Sequence, residues 1–400
     1  MDVGTSKVCT LIADVGEEDP EILGIGVCPS QGIEKGLVTD ASAASAAISA
    51  SLRRAEQQSG FKAISAFVGV AGAHILSRSS RAVVDVARSD GIVTDLDVQR
   101  AVAGARILDL PADQEILHVL AHHFAVDDLR NLPQPIGLVG RRLTVDAVIV
   151  TAAVTPVHRL ITCIEPSDVK LDAVVYTPLA EGYAVLSSAE RDLGALIVDI
   201  GGGTTDVALF RGGGLVHICA LPVGGFQLSN DLAFGLQIPL ELADAIKVRH
   251  GSTLSRARAE GETLPMRPIN GDPDTWVEQC TVAEILDARL SEIFEIIHSG
   301  LEQKGLGGSY PAGVVLTGGS ARLPGATELA TEIFQVPTRI GVPGPVHGIA
   351  DVVRDPSFSA SVGLLMWGGD QLRAVAPESH GSRIARIGAG IREWFRNFLG

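Results

Sequence analysis

Two short stretches about 200 residues apart share one layout, and that layout constrains the fold more than any other feature of the chain. Asp199-Ile200-Gly201-Gly202-Gly203-Thr204-Thr205-Asp206 joins an apolar strand, Ala195 to Asp199, to a returning strand, Asp206 to Phe210. Three glycines let backbone amides approach phosphate oxygens with no side chain in the way. Thr204 and Thr205 add hydroxyl donors. Asp199, at the strand end, can reach a water of Mg²⁺, an ion usually held through one or two carboxylates plus phosphates. Asp2-Val3-Gly4-Thr5-Ser6-Lys7 repeats the order of acid, apolar residue, glycine and hydroxyls before a strand. Lys7 can meet a β- or γ-phosphate as a point charge, and Asp2 is the second candidate Mg²⁺ carboxylate. Each stretch alone can also be read as a plain tight hairpin. Together they suggest an internally duplicated fold whose halves close on one phosphate chain.

Two further elements fit a nucleotide. Leu316-Thr317-Gly318-Gly319-Ser320-Ala321 runs from a buried strand through two glycines towards a helix starting near Gly325, so a flat base or ribose can approach the backbone there. On the helix Leu240 to Arg249, Asp244 and Lys247 are three apart and share a face. They could hold ribose hydroxyls, or form an exposed ion pair.

The last residues carry a different signal. With about 100° per residue, Ile384, Ile387, Ile391, Trp394, Phe395, Phe398 and Leu399 fall within an arc of roughly 140°. Arg383, Arg386, Arg392, Arg396 and Glu393 lie outside it. A basic helix with such a face suits an anionic membrane surface, on a chain whose net charge is −15. Arg392 and Arg396 join the apolar residues as candidate membrane contacts. The segment is too short and too charged to span a bilayer. Residues 371–382, with Pro377 and Gly381, read as a linker. A final helix docked on the body is the bland alternative.

Four hundred residues imply two or more domains, and 46% apolar residues supply ample core. The acidic balance argues against nucleic acid as a partner. Cys9, Cys28, Cys163, Cys219 and Cys280 are dispersed without metal spacing, which suggests a reducing compartment. No signal peptide or membrane-spanning run is visible. The chain opens inside a strand–turn element, so a start upstream is expected. Without one, Asp2 would lie beside a frayed terminus.

Strands are expected at Val8–Val15, Ile22–Cys28 and Ala63–Val70, with a helix over Ala41–Ser59. From Ala71 to about Val150 short strands and one capped helix suggest an inserted α+β unit. Helices are expected over Ile161–Leu171, Pro178–Ser187, Gly225–Phe234, Leu240–Arg249 and Val282–Leu301. The whole is an α/β protein with more than one sheet.

The order of Asp2-Val3-Gly4-Thr5, Asp199 to Asp206 and Leu316 to Ser320 resembles the actin, sugar-kinase and heat-shock chaperone ATPase superfamily. Leu117-His118-Val119 and Pro135-Ile136-Gly137-Leu138 in the insert, Asp244-Ala245-Ile246-Lys247-Val248-Arg249-His250-Gly251, and the linker with its amphipathic tail narrow the resemblance to the bacterial cell-division FtsA family. It covers essentially the whole chain.

The resemblance implies an actin-like bilobed fold, with ATP and Mg²⁺ in the central cleft. It implies lobe I from 1–70, 151–193 and a closing helix over 351–370, with an inserted subdomain at 71–150. Lobe II comprises 194–234 and 301–350 with an upper subdomain at 235–300. A linker (371–382) and a membrane helix (383–400) follow. It also implies filaments at the cytoplasmic face of the membrane at the division site, contact with other division proteins, and docking of the FtsZ C-terminal peptide on roughly Gly235 to Gly300. His250 to Pro273 reads as a loop at the edge of that region.

Hydrolysis needs a base or a positioned water at the γ-phosphate. Asp206 and Glu181 are candidates, but one can equally cap a hairpin and the other begin a helix. The resemblance implies ATP binding that gates assembly, with slow hydrolysis at most. A metabolite kinase of the same superfamily would lack the tail. So would a PilM-like pilus protein, and MreB-like filaments would lack the insert.

Overall fold

A computed structural model describes residues 1–16, 19–254, 263–266 and 275–375. The chain opens with β1 (Asp2–Val3), β2 (Lys7–Asp14) and β3 (Glu21–Pro29). A hairpin of β4 (Ile33–Glu34) and β5 (Leu37–Val38), helix α1 (Ala41–Ser59) and β6 (Ser65–Val70) follow. A second unit holds β7 (Ile75–Asp85), α2 (Asp95–Ala105), β8 (Gln114–Val126), β9 (Leu129–Leu132) and β10 (Arg142–Ala153). The chain then returns through α3 (Val154–Ile164), β11 (Lys170–Tyr176), α4 (Thr177–Val185) and α5 (Ser188–Leu193).

The third unit begins with β12 (Ala195–Ile200), β13 (Thr205–Arg211), β14 (Gly214–Leu221), α6 (Gly225–Leu236) and α7 (Leu240–His250). It continues with β15 (Thr263–Met266), β16 (Thr275–Glu278), α8 (Gln279–Gln303), β17 (Gly313–Thr317), α9 (Ala326–Phe334) and β18 (Thr338–Ile340). Finally β19 (His347–Gly348) and α10 (Ser359–Val375) close on the first unit.

Two mixed sheets form the lobes. Lobe I has the order β11-β6-β1-β2-β3-β19 and lobe II the order β14-β13-β12-β17-β18. In each, a hairpin stands beside a parallel neighbour: β1 is antiparallel to β2 and parallel to β6, and β12 is antiparallel to β13 and parallel to β17. This is the duplication expected from the paired hairpins. The insert has its own antiparallel sheet, β7-β10-β8-β9, and its own small core of Val93, Ala101, Leu143, Val145 and Ile149 under α2.

Local chemistry explains the helix limits. Asp40 accepts hydrogen bonds from the Ser42 and Ala43 amides at 2.9 and 3.0 Å, which starts α1, and Gly60 in the left-handed region ends it. α1 then lies very close to β3. A Cβ on Gly26 would stand 1.8 Å from the Ser51 carbonyl oxygen, and one on Gly24 would stand 2.3 Å from that of Ala55. α10 crosses α4 as tightly, because a Cβ on Gly363 would be 2.4 Å from the Ala180 carbonyl.

Two expectations are corrected. Ile161–Leu171 is not one helix: α3 ends at Ile164, Glu165–Ser167 forms a 3₁₀ turn, and Asp168 adopts φ +55°. Pro166 cannot continue the α-helical ladder, and the apolar run after it is β11, a buried strand that periodicity alone does not separate from a helix. The expected linker also starts later, since residues 371–375 continue α10. Most of the expected loop from His250 to Pro273 lies outside the described residues, and within it Thr263–Met266 is a strand.

The α1–β3 contact predicts a sharp response. Gly26→Val should destabilise the protein by about 3 kcal/mol, through overpacking against helix backbone that cannot yield. Urea denaturation checks this, and an unchanged midpoint would mean that α1 can move away from the sheet.

Candidate functional site

The loop between β12 and β13 is shaped by the helix behind it. The amides of Gly225 and Phe226, first in α6, donate to the carbonyls of Gly201 and Gly202, both at 2.8 Å, and the Gly201 amide closes the loop on the Thr204 carbonyl at 3.0 Å. The amides of Gly202, Gly203 and Thr204 meet no acceptor among the described residues. Three successive free amides form a backbone nest of the kind that holds an anion. The Thr205 hydroxyl instead donates to the Val223 carbonyl at 2.9 Å and braces the loop.

The first hairpin faces this nest. A Cβ on Gly203 would lie 2.9 Å from Thr5 Cγ2, and one on Gly202 would lie 3.1 Å from Ser6 Cβ. Gly203 is therefore required by the meeting of the hairpins as well as by any ligand. Gly4 closes its turn with a 3.0 Å bond to the Lys7 carbonyl, while the amides of Thr5 and Ser6 have no acceptor among the described residues. Asp2 is not frayed. It pairs with Cys9 and Gly69, and the Met1 amine donates to the Phe67 carbonyl at 2.7 Å. Lys7 donates to Ser357 Oγ at 3.1 Å and lies 3.5 Å from the centre of the Phe358 ring.

The third glycine turn joins the same cleft. Gly318 adopts φ +81°, and a Cβ there would stand 2.2 Å from Asp199 Oδ1, so it secures close packing on β12. Gly319 differs: nothing lies within 4 Å of its Cβ position, which leaves an open face. A Cβ on Gly225 would be 2.7 Å from Ser320 Oγ, which brings that turn onto α6. Asp244 and Lys247 are paired at 2.8 Å, but not as a free surface pair. Lys247 Nζ also donates to the Gly225 carbonyl at 2.8 Å and to Ser229 Oγ at 2.7 Å. Lys247 is thus spent in tying α7 to the start of α6, while the Asp244 side chain stays about half exposed.

Four carboxyl groups gather beneath the hairpins. Burial, then the neighbouring Asp206 and Asp2, push Asp199 up to about 8. Burial pushes Asp206 up to about 6 against the bonds from Thr204 and the Gly72 amide. Burial raises Asp2 although Lys7 opposes it, and burial with Asp199 carries Glu181 well above the usual carboxylate range. Glu181 and Asp206 are each 1% exposed. Glu181 accepts from Thr317 Oγ1 at 3.1 Å and Asp206 from the Gly72 amide at 2.8 Å, so both candidate bases are held by protein partners. Asp2 and Asp199 are partly exposed. Among the described residues no group of three or more His, Cys, Asp or Glu could hold a metal ion directly.

Comparison with known proteins places the chain. A family model described as cell division protein FtsA matches residues 196–363, and one described as the SHS2 domain inserted in FtsA matches residues 72–151. The chain is 38% identical over 369 residues to the cell division protein FtsA of Pseudomonas aeruginosa, covering 92% of this chain and 88% of that one. It is 30% identical over 410 residues to that of Escherichia coli K12, covering 99% and 97%. The chain belongs to the FtsA family.

Among solved structures, a PilM–PilN type IV pilus biogenesis complex aligns with TM-score 0.66 at 16% identity, over 92% of this chain and 97% of that one. MreB5 of Spiroplasma citri bound to ADP aligns with TM-score 0.55 at 16% identity, over 92% and 94%. These likenesses show the actin-like fold alone. The FtsA family assignment sets aside the pilus-protein, MreB and metabolite-kinase readings.

The structure therefore brings Asp2, Gly4, Thr5, Ser6, Lys7, Asp199, Gly201–Thr204 and Gly318–Ser320 together where the glycine turns meet, with Thr205 and Asp206 buried behind the loop and Asp244 and Lys247 against the start of α6. The expected membrane residues, from Ile384 to Leu399, lie outside the described residues. No described helix is long and apolar enough to cross a membrane. Sequence reading missed the Gly224–Gly225 pair that caps α6 onto the loop, although a glycine pair between a strand and a helix is a visible signal. It also missed Gly72, whose contact with Asp206 spans 134 residues and leaves no local trace.

Adjacent glycines should behave oppositely. Gly318→Ala should cost about 2 kcal/mol or more, from its positive φ and the clash with Asp199. Gly319→Ala should stay within about 0.5 kcal/mol. Thermal denaturation of the two variants side by side checks the contrast, and equal losses would refute it.

Proposed function

We propose that this FtsA-family chain is a nucleotide-gated tether that joins the division ring to the cytoplasmic face of the membrane at the division site. The observation that carries the nucleotide half is the set of five unclaimed amides, Thr5 and Ser6 facing Gly202, Gly203 and Thr204. They suit the phosphates of ATP, with the open face of Gly319 and half-exposed Asp244 offering room for base and ribose. The MreB5 neighbour is bound to ADP, which supports a nucleotide as the ligand class. The acids fit Mg²⁺ held through its water shell, since Asp2 and Asp199 are the two that keep exposure. Such an ion would offset phosphate charge. With Asp206 and Glu181 engaged by protein groups, turnover is slow or absent.

Nucleotide-bound chains assemble into actin-like filaments. Residues 235–300 take the FtsZ C-terminal peptide, and other division proteins join the assembly. Residues 383–400 lie on the anionic membrane surface. One short amphipathic helix binds reversibly, and a filament that presents many of them holds firmly by avidity.

Co-sedimentation with anionic vesicles tests this reading. The full chain should pellet, more so with ATP and Mg²⁺, whereas a chain ending at Gly381 and the Trp394→Glu variant should remain in the supernatant with ATP binding intact. Pelleting of the truncated chain would place the anchor elsewhere.

A pH dependence follows from the raised acids. Folded Asp199 keeps its proton up to about 8, whereas an ordinary aspartate loses it at 3.8. Its contribution to stability is full below the lower value and is lost as pH rises through the upper one. The thermal midpoint without metal should fall over that rise, and Mg²⁺, which favours the ionised acid, should oppose the fall. Asp199→Asn should weaken both effects, leaving the share that Asp2, Asp206 and Glu181 contribute. A midpoint profile that Asp199→Asn leaves unchanged would remove Asp199 from the titrating group.

A further inference from the structure

The β4–β5 hairpin has no role in the reading so far, yet its tip stands where the two phosphate-facing hairpins meet. Lys35 and Gly36 both adopt left-handed backbone, φ +50° and +75°, the geometry of a type I′ turn, whose first position favours asparagine, aspartate or glycine. A lysine held there is a local outlier, and such outliers concentrate at functional sites. The tip is fixed from three sides. The Gly36 amide donates to Thr5 Oγ1 at 3.2 Å. The Lys35 amide nitrogen lies 3.0 Å from the Cβ position of Gly203. A Cβ on Gly36 would stand 2.4 Å from the Ala71 carbonyl oxygen.

The other cations of the cleft are committed. Lys7 is held by Ser357 and Phe358, Lys247 by Gly225, Ser229 and Asp244, and Arg322 by Asp355 and Ser357. Lys35 is exposed, and its side chain has no hydrogen-bond or ion-pair partner among the described residues. Glu34 beside it is exposed as well. The open face of Gly319 and Asp244 offer the base and ribose end of the cleft, so a nucleotide laid from there across the free amides brings its last phosphate to the Thr5–Gly203 contact. That contact is where Lys35 stands, on a flexible four-carbon stem with three donors.

We propose that Lys35 is a terminal-phosphate residue that lets this cleft distinguish a nucleoside triphosphate from a diphosphate. The inference rests on the nucleotide reading above. It assigns the preference for the extra phosphate to a turn residue outside both glycine hairpins. A charge-assisted contact to the last phosphate strengthens triphosphate binding and leaves diphosphate binding almost unchanged.

Calorimetry on the full chain with ATP·Mg²⁺ and ADP·Mg²⁺ tests it, using Lys35→Asn, which suits the left-handed turn, and Lys35→Arg, which keeps the charge. Lys35→Asn should weaken ATP about tenfold or more and ADP less than about twofold, with Lys35→Arg recovering most of the ATP affinity. Equal weakening of both nucleotides would make Lys35 a support for the loops only, and no change would remove it from the site. Either result leaves the nucleotide reading standing. Failure of the unaltered chain to bind either nucleotide overturns both. Lys35→Gln, compared at matched thermal midpoint, guards against a turn defect peculiar to asparagine.

Discussion

Two backbone hydrogen bonds organise the cleft: the first amides of α6 to the carbonyls of Gly201 and Gly202. A helix begins with amides that its own ladder cannot satisfy, and they commonly face water or a ligand. Here Gly225 and Phe226 donate theirs to the β12–β13 glycine loop. With those carbonyls turned to the helix, the amides of Gly202, Gly203 and Thr204 are left without acceptors among the described residues. Lys247 holds the next layer, because its bonds to Gly225, Ser229 and Asp244 fix α7 against the start of α6. The surface of free amides is therefore built from behind, by residues that need not face the cleft.

The same cleft holds opposing charges. Free amides attract an anion, while Asp2, Asp199, Asp206 and Glu181 would repel one if all were ionised. Burial removes much of that conflict by keeping protons on the deepest groups, Glu181 above all. What stays reachable is a pair of partly exposed acids, Asp2 and Asp199, with Lys7 as their nearby counter-charge. On the proposed reading, a polyphosphate that arrives with a divalent cation suits such a pair better than a bare one, because the cation offsets both partners at once.

Much of this was legible in the sequence, for reasons that differ by element. α1 shows its cap, its alanine-rich body and its terminal glycine in order, so its limits agree with Ala41–Ser59 at both ends. The glycine hairpins stand out because backbone approach to phosphate leaves few residue choices. β11 was misread because a short buried strand and a helical turn look alike in apolar pattern, with Pro166 the one clue that the helix had ended. Lys247 was only half legible. Its spacing from Asp244 showed a shared face, but its bond to Gly225 depends on two helices meeting. Gly203 was found for one reason and proves necessary for a second, the contact with Thr5.

The contact between Asp206 and Gly72 connects the cleft to the inserted unit. Asp206 follows the β12–β13 glycine loop, and Gly72 begins the stretch that leads into β7. Both the carboxyl group and the amide are buried, so separating them would strand a polar pair at a cost of about 1–3 kcal/mol. Other ties hold the insert to the lobes, two of them through histidines. The Tyr176 amide donates to His118 Nε2 at 3.0 Å, and Ser77 Oγ lies 3.3 Å from His217 Nδ1. Those two brace the insert against β11 and β14, away from the glycine loops. The Asp206 tie alone reaches the loop whose free amides face the cleft. A shift of that loop therefore either drags the base of β7 with it or strips the buried Asp206 carboxyl group of its Gly72 donor, leaving only the Thr204 bond.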